Sequence, residues 1–345
     1  MTLGSLIRNI KWRLSKFFLS DEKRLWNNVT NLNKRFKKGE IISLNEYSTM
    51  ATIKQSPSKR AVCIFDGKIK NGGLADRLRG IVSVYQVSKE QNLEFKIKFT
   101  SPFSLSDFLE PNIIDWRITE EGLNYNTAVT RLCYIDTLTG SEYEAKKQEQ
   151  WFKREFKKNY KEFHVRSNAI FSYNGDYSTL FNELFKPSQR LQTSIEKQKE
   201  IISTSYISTS FRFMNLLGDF NETVELHNKL TKEEQNELIT KNIEQLQLLH
   251  KKHPDKHILV NSDSTTFLQT AEKLDYVHVI PGNITHIDGK NDKDEYSAYE
   301  KTFLDFFMIA NAEKIYLLRT GQMYNSGYPF AASKIYNKSF EKIEF

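Results

Sequence analysis

Two runs of alternating strand-like and helix-like pattern constrain this chain more than any other feature. In the first, residues 61–65 (Ala-Val-Cys-Ile-Phe) form an unbroken apolar run of strand length, followed by a glycine-containing turn. Residues 74–91 then repeat apolar positions at helical spacing, and 94–99 alternate apolar with polar. This is one β-loop-α-β unit, the repeating element of open parallel sheets. In the second, strand-like segments at 206–213, 257–260, 276–280 and 314–318 alternate with helix-like segments at 231–249, 265–274 and 298–312. Thr231 and Glu234 are spaced as a capping box at the first of those helices. Between the two runs, 141–163 reads as a charged, aromatic helical stretch carrying Trp151, Phe152, Phe156, Tyr160 and Phe163. The pattern predicts an α/β protein with two doubly wound domains facing each other across a cleft. The divisions are an arm and linker at 1–57, a first domain at 58–200 and a second at 201–345.

The chain of 345 residues is long enough for such a pair, and 39% hydrophobic with 27% charged residues describes an ordinary globular composition. Its 24 Phe and 16 Tyr fit a core rich in rings, and also the aromatic walls of sugar-binding clefts. Two cysteines, Cys63 and Cys133, make no disulfide framework and suit a reducing, cytoplasmic compartment; the histidines predict no structural zinc site. The formal charge of +7 is partly local: residues 1–40 hold ten basic side chains against Asp21, Glu22 and Glu40. Within them Leu3, Leu6, Ile7, Ile10, Leu14, Phe17 and Phe18 recur at helical spacing, which predicts a basic amphipathic helix. Such a helix either lies on a membrane surface through residues 1–20 or packs on the body of the protein; it is too charged to span a bilayer. Residues 43–60, with Ser56-Pro57-Ser58, read as a linker.

Four segments fall where an open parallel sheet places its ligands, beyond the carboxyl ends of strands. The first runs from Asp66 through Asn71, Gly72 and Gly73 to Asp76, Arg77 and Arg79. Paired glycines admit close backbone approach, and helix-start amides with nearby guanidinium groups attract an anion; a plain tight connection is the structural alternative. The spacing is not that of a P-loop. The second holds Ser210, Arg212, Gly218 and Asp219. Arg212 interrupts an apolar run and needs a partner, either a carboxylate such as Asp219 or Asp263, or a diphosphate. The third is Ser262-Asp263-Ser264, suited to capping a helix, to hydrogen bonding a nucleotide, or to both. The fourth, 319–328, includes Thr320 and Ser326 in a polar glycine-containing loop.

Residues 71–81 resemble the first motif of the GDP-fucose-dependent fucosyltransferase superfamily, in which a glycine-rich turn leads into a helix. Ser210, Arg212 and Gly218-Asp219 are similar to that family's His-x-Arg-x-Gly-Asp strand, Ser262-Asp263-Ser264 to its Ser-Asp pair, and Asp305 with Thr320 to Ser326 to its acidic helix residue and donor loop. The ordered set covers about residues 61–335. The chain departs from the family where Ser210 replaces a histidine, where four extra residues separate Arg212 from Gly218, and where the last loop lacks a Ser-Ser-Phe-Ser run.

The resemblance implies a GT-B-like fold of two Rossmann-type domains and an inverting, metal-independent glycosyltransferase with no cofactor. Its donor, GDP-fucose, is expected to bind mainly to the second domain, through Ser210, Asp219, Ser262, Asp263, Ser264, Asp305, Thr320 and Ser326, with Asn71, Gly72 and Gly73 assisting from the facing domain. Arg212 is then the diphosphate clamp, Arg77 its assistant, and Asp76 or Asp66 a base for the acceptor hydroxyl. The acceptor is expected to be a glycan, either a cell-surface polysaccharide or a lipid-linked oligosaccharide, met at the inner face of the cytoplasmic membrane. Another nucleotide sugar, an inactive glycan-binding relative and, more remotely, a nucleic-acid-binding protein are the alternatives.

Overall fold

Arg60–Phe65 (β1) is buried at every position, so it requires cover on both faces and belongs inside a parallel sheet. The computed structural model describes residues 44–345 apart from 55, 57, 70, 135–141, 167–175, 203–204, 221–228, 283, 286 and 288–294, and the basic arm lies outside the described residues. In it β1 is central to a four-stranded, all-parallel sheet. Its neighbours are Glu94–Phe99 (β2) and Glu162–Val165 (β5), with Thr130–Cys133 (β4) beyond β5. The connection from β1 to β2 is the helix Leu74–Glu90 (α1). A short antiparallel pair, Leu109–Pro111 (β3) and Phe185–Pro187 (β6), lies outside that sheet.

Residues 141–163 are not one helix. The helix Glu142–Glu155 (α2) ends well before β5, and Phe163 is a strand residue. Helices Tyr177–Leu184 (α3) and Gln189–Ile202 (α4) then flank β6 and lead to the second sheet. The segment read as a linker is docked on the first sheet. The Asn126 side-chain amide donates to the carbonyls of Thr49 and Ala51, that of Asn124 donates to Lys54, and Ser48 pairs with Asn126.

The second sheet has five parallel strands in the order Ser339–Glu344 (β11), Lys314–Arg319 (β10), Tyr206–Phe211 (β7), His257–Ser262 (β8) and Val277–His278 (β9). Its helices are Lys232–Lys252 (α5), Thr265–Ala271 (α6), Glu295–Asn311 (α7) and Tyr328–Ile335 (α8). Thr231 and Glu234 form the expected capping box at α5. Ile207 and Phe211 pack on one face of β7 with Phe213 and Phe267, whereas Tyr206 belongs to the opposite face. The two-residue period of a strand therefore puts Ser208 and Ser210 on the Tyr206 side.

One apolar cluster runs through both halves, from Phe65 and Phe99 to Phe303, Ile315 and Ile335. Its joint is aromatic: Phe108 stacks on Phe303 at 4.3 Å and 3° and on Tyr296 at 4.8 Å, and Phe103 meets Tyr299 at 4.8 Å. Phe99 ends β2, and Phe103 and Phe108 follow its carboxyl end. Helix α7 runs back roughly 25 Å along the second sheet before β10 begins, so its first turns stand at the end where β10 finishes. The carboxyl ends of both sheets thus converge on one seam, and α8 also packs against α1 and α3. Phe108→Ala is expected to cost about 3–5 kcal/mol of stability in denaturant unfolding, against about 1 kcal/mol for Thr231→Ala at the α5 cap.

Candidate functional site

The chain leaves β7 at Phe211 and places Arg212 just past its carboxyl end. The Arg212 Nη1 lies 3.3 Å from Asp263 Oδ2, with the arginine side chain 19% exposed and the aspartate 1%. The guanidinium also stands over the Phe220 ring at 5.0 Å. Burial pushes the Arg212 pKa down, with Asp263 and Tyr324 opposing it; burial likewise pushes Asp263 up, with Arg212 and the Phe213 and Met214 amides opposing. Desolvation therefore outweighs the attraction of the pair on both sides.

Asp263 does more than pair. Its two oxygens accept the Phe213 amide at 2.8 Å and the Met214 amide at 2.6 Å. The extra residues after Arg212 fold into a tight turn, with Met214 at φ 55° and Gly218 at φ 69°. A Cβ at Gly218 would meet the Lys229 side chain. The turn returns Asp219 to the start of α6, where its Oδ2 accepts the Ser264 hydroxyl and the Thr266 amide, both at 2.8 Å. Ser264 Oγ accepts the Phe267 amide, and Ser262 Oγ accepts the Ser264 amide. Asp219, Ser262, Asp263 and Ser264 are thus brought together at the start of α6, with Asp263 reaching Arg212, and their bonds to one another and to nearby backbone amides fix that turn.

The glycine-rich segment supplies a second helix start. Gly73 precedes α1 with no side-chain cap, and Asn71 is buried with its amide on the Ile69 carbonyl. Arg77 turns inward. Its Nε donates to the Gly72 carbonyl at 2.8 Å and its Nη1 to the Ser101 carbonyl at 2.9 Å, over the rings of Phe65 and Phe99. Arg77 therefore braces the turn from beneath, unlike the expectation of a charge presented to the ligand. Asp76 is 41% exposed and lies 3.0 Å from Arg79.

The last elements separate. Thr320 donates its hydroxyl to the Phe345 carbonyl, on the β11 side of β10 and away from β7. Tyr324 stands beside Arg212 instead, its amide donating to the Arg212 carbonyl at 2.9 Å. Ser326 Oγ accepts the Tyr328 amide at the start of α8. Asp305 is buried on α7, bonded by Asn261 Nδ2 at 2.7 Å and by Lys301 Nζ at 3.0 Å. Asn261 is the register partner of Ser210, whose buried hydroxyl has no partner among the described residues. His253 and His257 are four residues apart, but His253 Nε2 is bonded to the Tyr316 hydroxyl at 2.8 Å. Among the described residues no group of His, Cys, Asp or Glu is arranged to hold a metal ion.

Residues missed in the sequence join Asp66 at the carboxyl ends of β1 and β5, starting with Arg166 and running back along β5 to its first residue, Glu162. Arg166, 1% exposed, directs Nη1 to Asp66 Oδ1 at 2.7 Å. Its Nε reaches the Tyr47 hydroxyl at 3.4 Å, Tyr47 bonds His164 Nδ1 at 2.7 Å, and His164 Nε2 meets Glu162 Oε1 at 2.5 Å. Arg60 and the Asn124 amide complete the shell of Glu162. The signal was present as Glu162, His164 and Arg166 at period two, hidden by the aromatic run before them.

Comparison with known proteins follows from this geometry. No family model matches the chain, and comparison with curated proteins finds no match. Among solved structures, a fucosyltransferase NodZ from Bradyrhizobium aligns with a TM-score of 0.52 at 13% identity, over 84% of this chain and 95% of that one. The NodZ α-1,6-fucosyltransferase co-crystallised with GDP aligns at 0.52 and 11% identity, over 79% and 91%. FUT1 of Arabidopsis thaliana in complex with GDP aligns at 0.50 and 10%, over 85% and 72%. The chain shares its fold with these fucosyltransferases. That agrees with the resemblance read from the ordered motifs, at an identity where sequence comparison alone finds nothing.

Acid should weaken the fold through His164. Burial lowers its pKa, with Arg166 and Arg60 adding to the effect against the pull of Glu162. The unfolded chain takes up the proton near pH 6.5 while the folded one does not, so stability falls as pH drops below that value, by at most about 1.4 kcal/mol per unit. Glu162, held low by its partners despite burial, adds a further loss below about pH 4.3. Thermal melts should show the slope between pH 7 and 5 in the wild type and a flatter one in His164→Asn.

Proposed function

We propose that this protein is a glycosyltransferase that takes GDP-fucose and passes fucose to a glycan acceptor with inversion. The observation that carries the reading is Arg212. It is a partly exposed guanidinium fixed past the central strand of a parallel sheet, in a fold shared with fucosyltransferases whose structures contain GDP. A planar fork suits a diphosphate. As the bond from the anomeric carbon to the diphosphate breaks, negative charge grows on the leaving oxygens. Arg212 and the uncapped start of α1 would meet that charge without reorganising.

In this reading Asp219, Ser262, Asp263 and Ser264 act mainly by fixing Arg212, and Arg77 by fixing the Gly72-Gly73 turn. Tyr324 joins the donor side in place of Thr320. On the same reading the first lobe includes Glu46, which pairs with Lys68 at 2.7 Å, and Tyr47, which bonds Arg166, and the second begins after α4. Another nucleotide sugar, or glycan binding without turnover, is the outcome to be separated from it.

GDP at 100 times its Kd should stabilise the wild type by about 2.7 kcal/mol, read as a higher Tm. Arg212→Ala should lose most of that shift, and its release of GDP from GDP-fucose should fall about 10²–10³-fold. An equal shift in both proteins would remove Arg212 from the donor site. A shift with other nucleotide sugars alone would reassign the donor.

The basic arm favours an acceptor at a membrane surface, such as a lipid-linked oligosaccharide at the inner face of the cytoplasmic membrane. Among the described residues no helix is long and apolar enough to cross a membrane. Deleting residues 1–40 should abolish sedimentation with vesicles containing anionic phospholipid; unchanged sedimentation would place the arm elsewhere.

A further inference from the structure

Asp66 differs from the other carboxylates at the seam. It follows β1 directly, at the edge of the first sheet where a ligand is expected. Its side chain is 7% exposed. Oδ1 accepts both Arg166 Nη1 at 2.7 Å and the Lys68 amide at 3.1 Å. Oδ2 is buried and has no hydrogen-bond partner among the described residues. A buried carboxylate oxygen without a donor costs about 1–3 kcal/mol or more, so a fold that keeps one at a ligand-binding edge keeps it for a donor that arrives. Arg166 cannot swing away to serve it, because the chain Tyr47, His164 and Glu162 fixes the guanidinium from behind. The carboxylate is therefore oriented on one side and unsatisfied on the other, the arrangement that preorganises a polar group for a donor.

We infer that Asp66 is the residue that receives the acceptor hydroxyl, with Arg166 as its positioning residue; this rests on the glycosyltransferase reading above. Oδ2 accepts a hydrogen bond from the acceptor O–H and aims its oxygen at the anomeric carbon. As that oxygen bonds to the carbon, the bond from the carbon to the β-phosphate oxygen breaks and its electron pair leaves with GDP. The acceptor proton passes to Oδ2 and from there to solvent, so atoms and charge balance. Burial works to raise the Asp66 pKa, but Arg166, the Lys68 amide and the Lys68 ammonium overturn it and hold the group below the ordinary carboxylate value. Lys98 on β2 and Glu46, which pairs with Lys68 and Arg166, are further charged groups of the same cluster. Asp66 is thus an ionised hydrogen-bond acceptor throughout the neutral range, and it takes the proton late, once the forming bond has made the hydroxyl acidic. Asp76, exposed and paired with Arg79, has neither property.

Water serves as the acceptor in the test, which removes the need to know the glycan. Release of GDP from GDP-fucose is followed for wild type, Asp66→Asn and Arg166→Lys, beside the thermal shift that each gives with GDP. The inference expects kcat for hydrolysis to fall about 10²-fold in Asp66→Asn, with KM and the GDP shift unchanged. The wild-type rate should fall at acid pH as Asp66 protonates. That limb should vanish in Asp66→Asn and move to higher pH in Arg166→Lys, where the carboxylate is held less firmly. Wild-type hydrolysis by Asp66→Asn, an acid limb that survives the substitution, or a lowered Tm as the sole effect overturns the inference. So does a wild type that binds GDP and releases none from GDP-fucose. A wild type that gives no GDP shift overturns the donor reading first, and this assignment with it.

Discussion

The turn after β7 depends on one buried carboxylate. Asp263 closes the turn after β7 through two backbone amides and holds the Arg212 guanidinium at the same time. Removing it would leave the Phe213 and Met214 amides without their acceptor and take a buried carboxylate from beside the Arg212 guanidinium, a loss of several kcal/mol. The residues between Arg212 and Asp219 form that turn and keep Asp219 within reach of α6, where it accepts the Ser264 hydroxyl and the Thr266 amide.

A second constraint joins the halves. The stack of Phe108 on Phe303 and Tyr296, with Phe103 against Tyr299, ties the segment after β2 to the early turns of α7. It fixes the two carboxyl edges relative to each other, and with them Asp66 on one side and Arg212 on the other. The rich phenylalanine content of the chain is spent largely here and beneath the sheets, in packing more than in open aromatic walls.

Much of the backbone was legible because its strands are apolar and its helices periodic: β1, α1, β2, α5 and β10 lie within a few residues of their expected bounds. The elements that were missed carry little apolar signal. β5 alternates Glu162 and His164 with Phe163 and Val165, with Arg166 just beyond it, and its buried polar side chains are satisfied by hydrogen bonds. Residues 44–54 dock mainly through asparagine amides on backbone carbonyls, with Leu44 and Tyr47 giving apolar contacts too few to show as a periodic pattern. β11 is a half-exposed edge strand rich in charge. At the site, residue type located Arg212 and Asp263 but could not tell which way a side chain turns. Arg77 looked equally basic, yet it lies under the rings of Phe65 and Phe99, and the loop after β10 presents Tyr324 to Arg212 while Thr320 faces the other edge.

If Arg212 reads the diphosphate, its contribution depends on the second phosphate. Calorimetric Kd values for GDP and GMP, each measured on wild type and Arg212→Ala, isolate that contact. The account predicts that the wild type prefers GDP by about tenfold or more, about 1.4 kcal/mol, and that the preference collapses in the variant. A preference for GDP that persists undiminished without the guanidinium would contradict it.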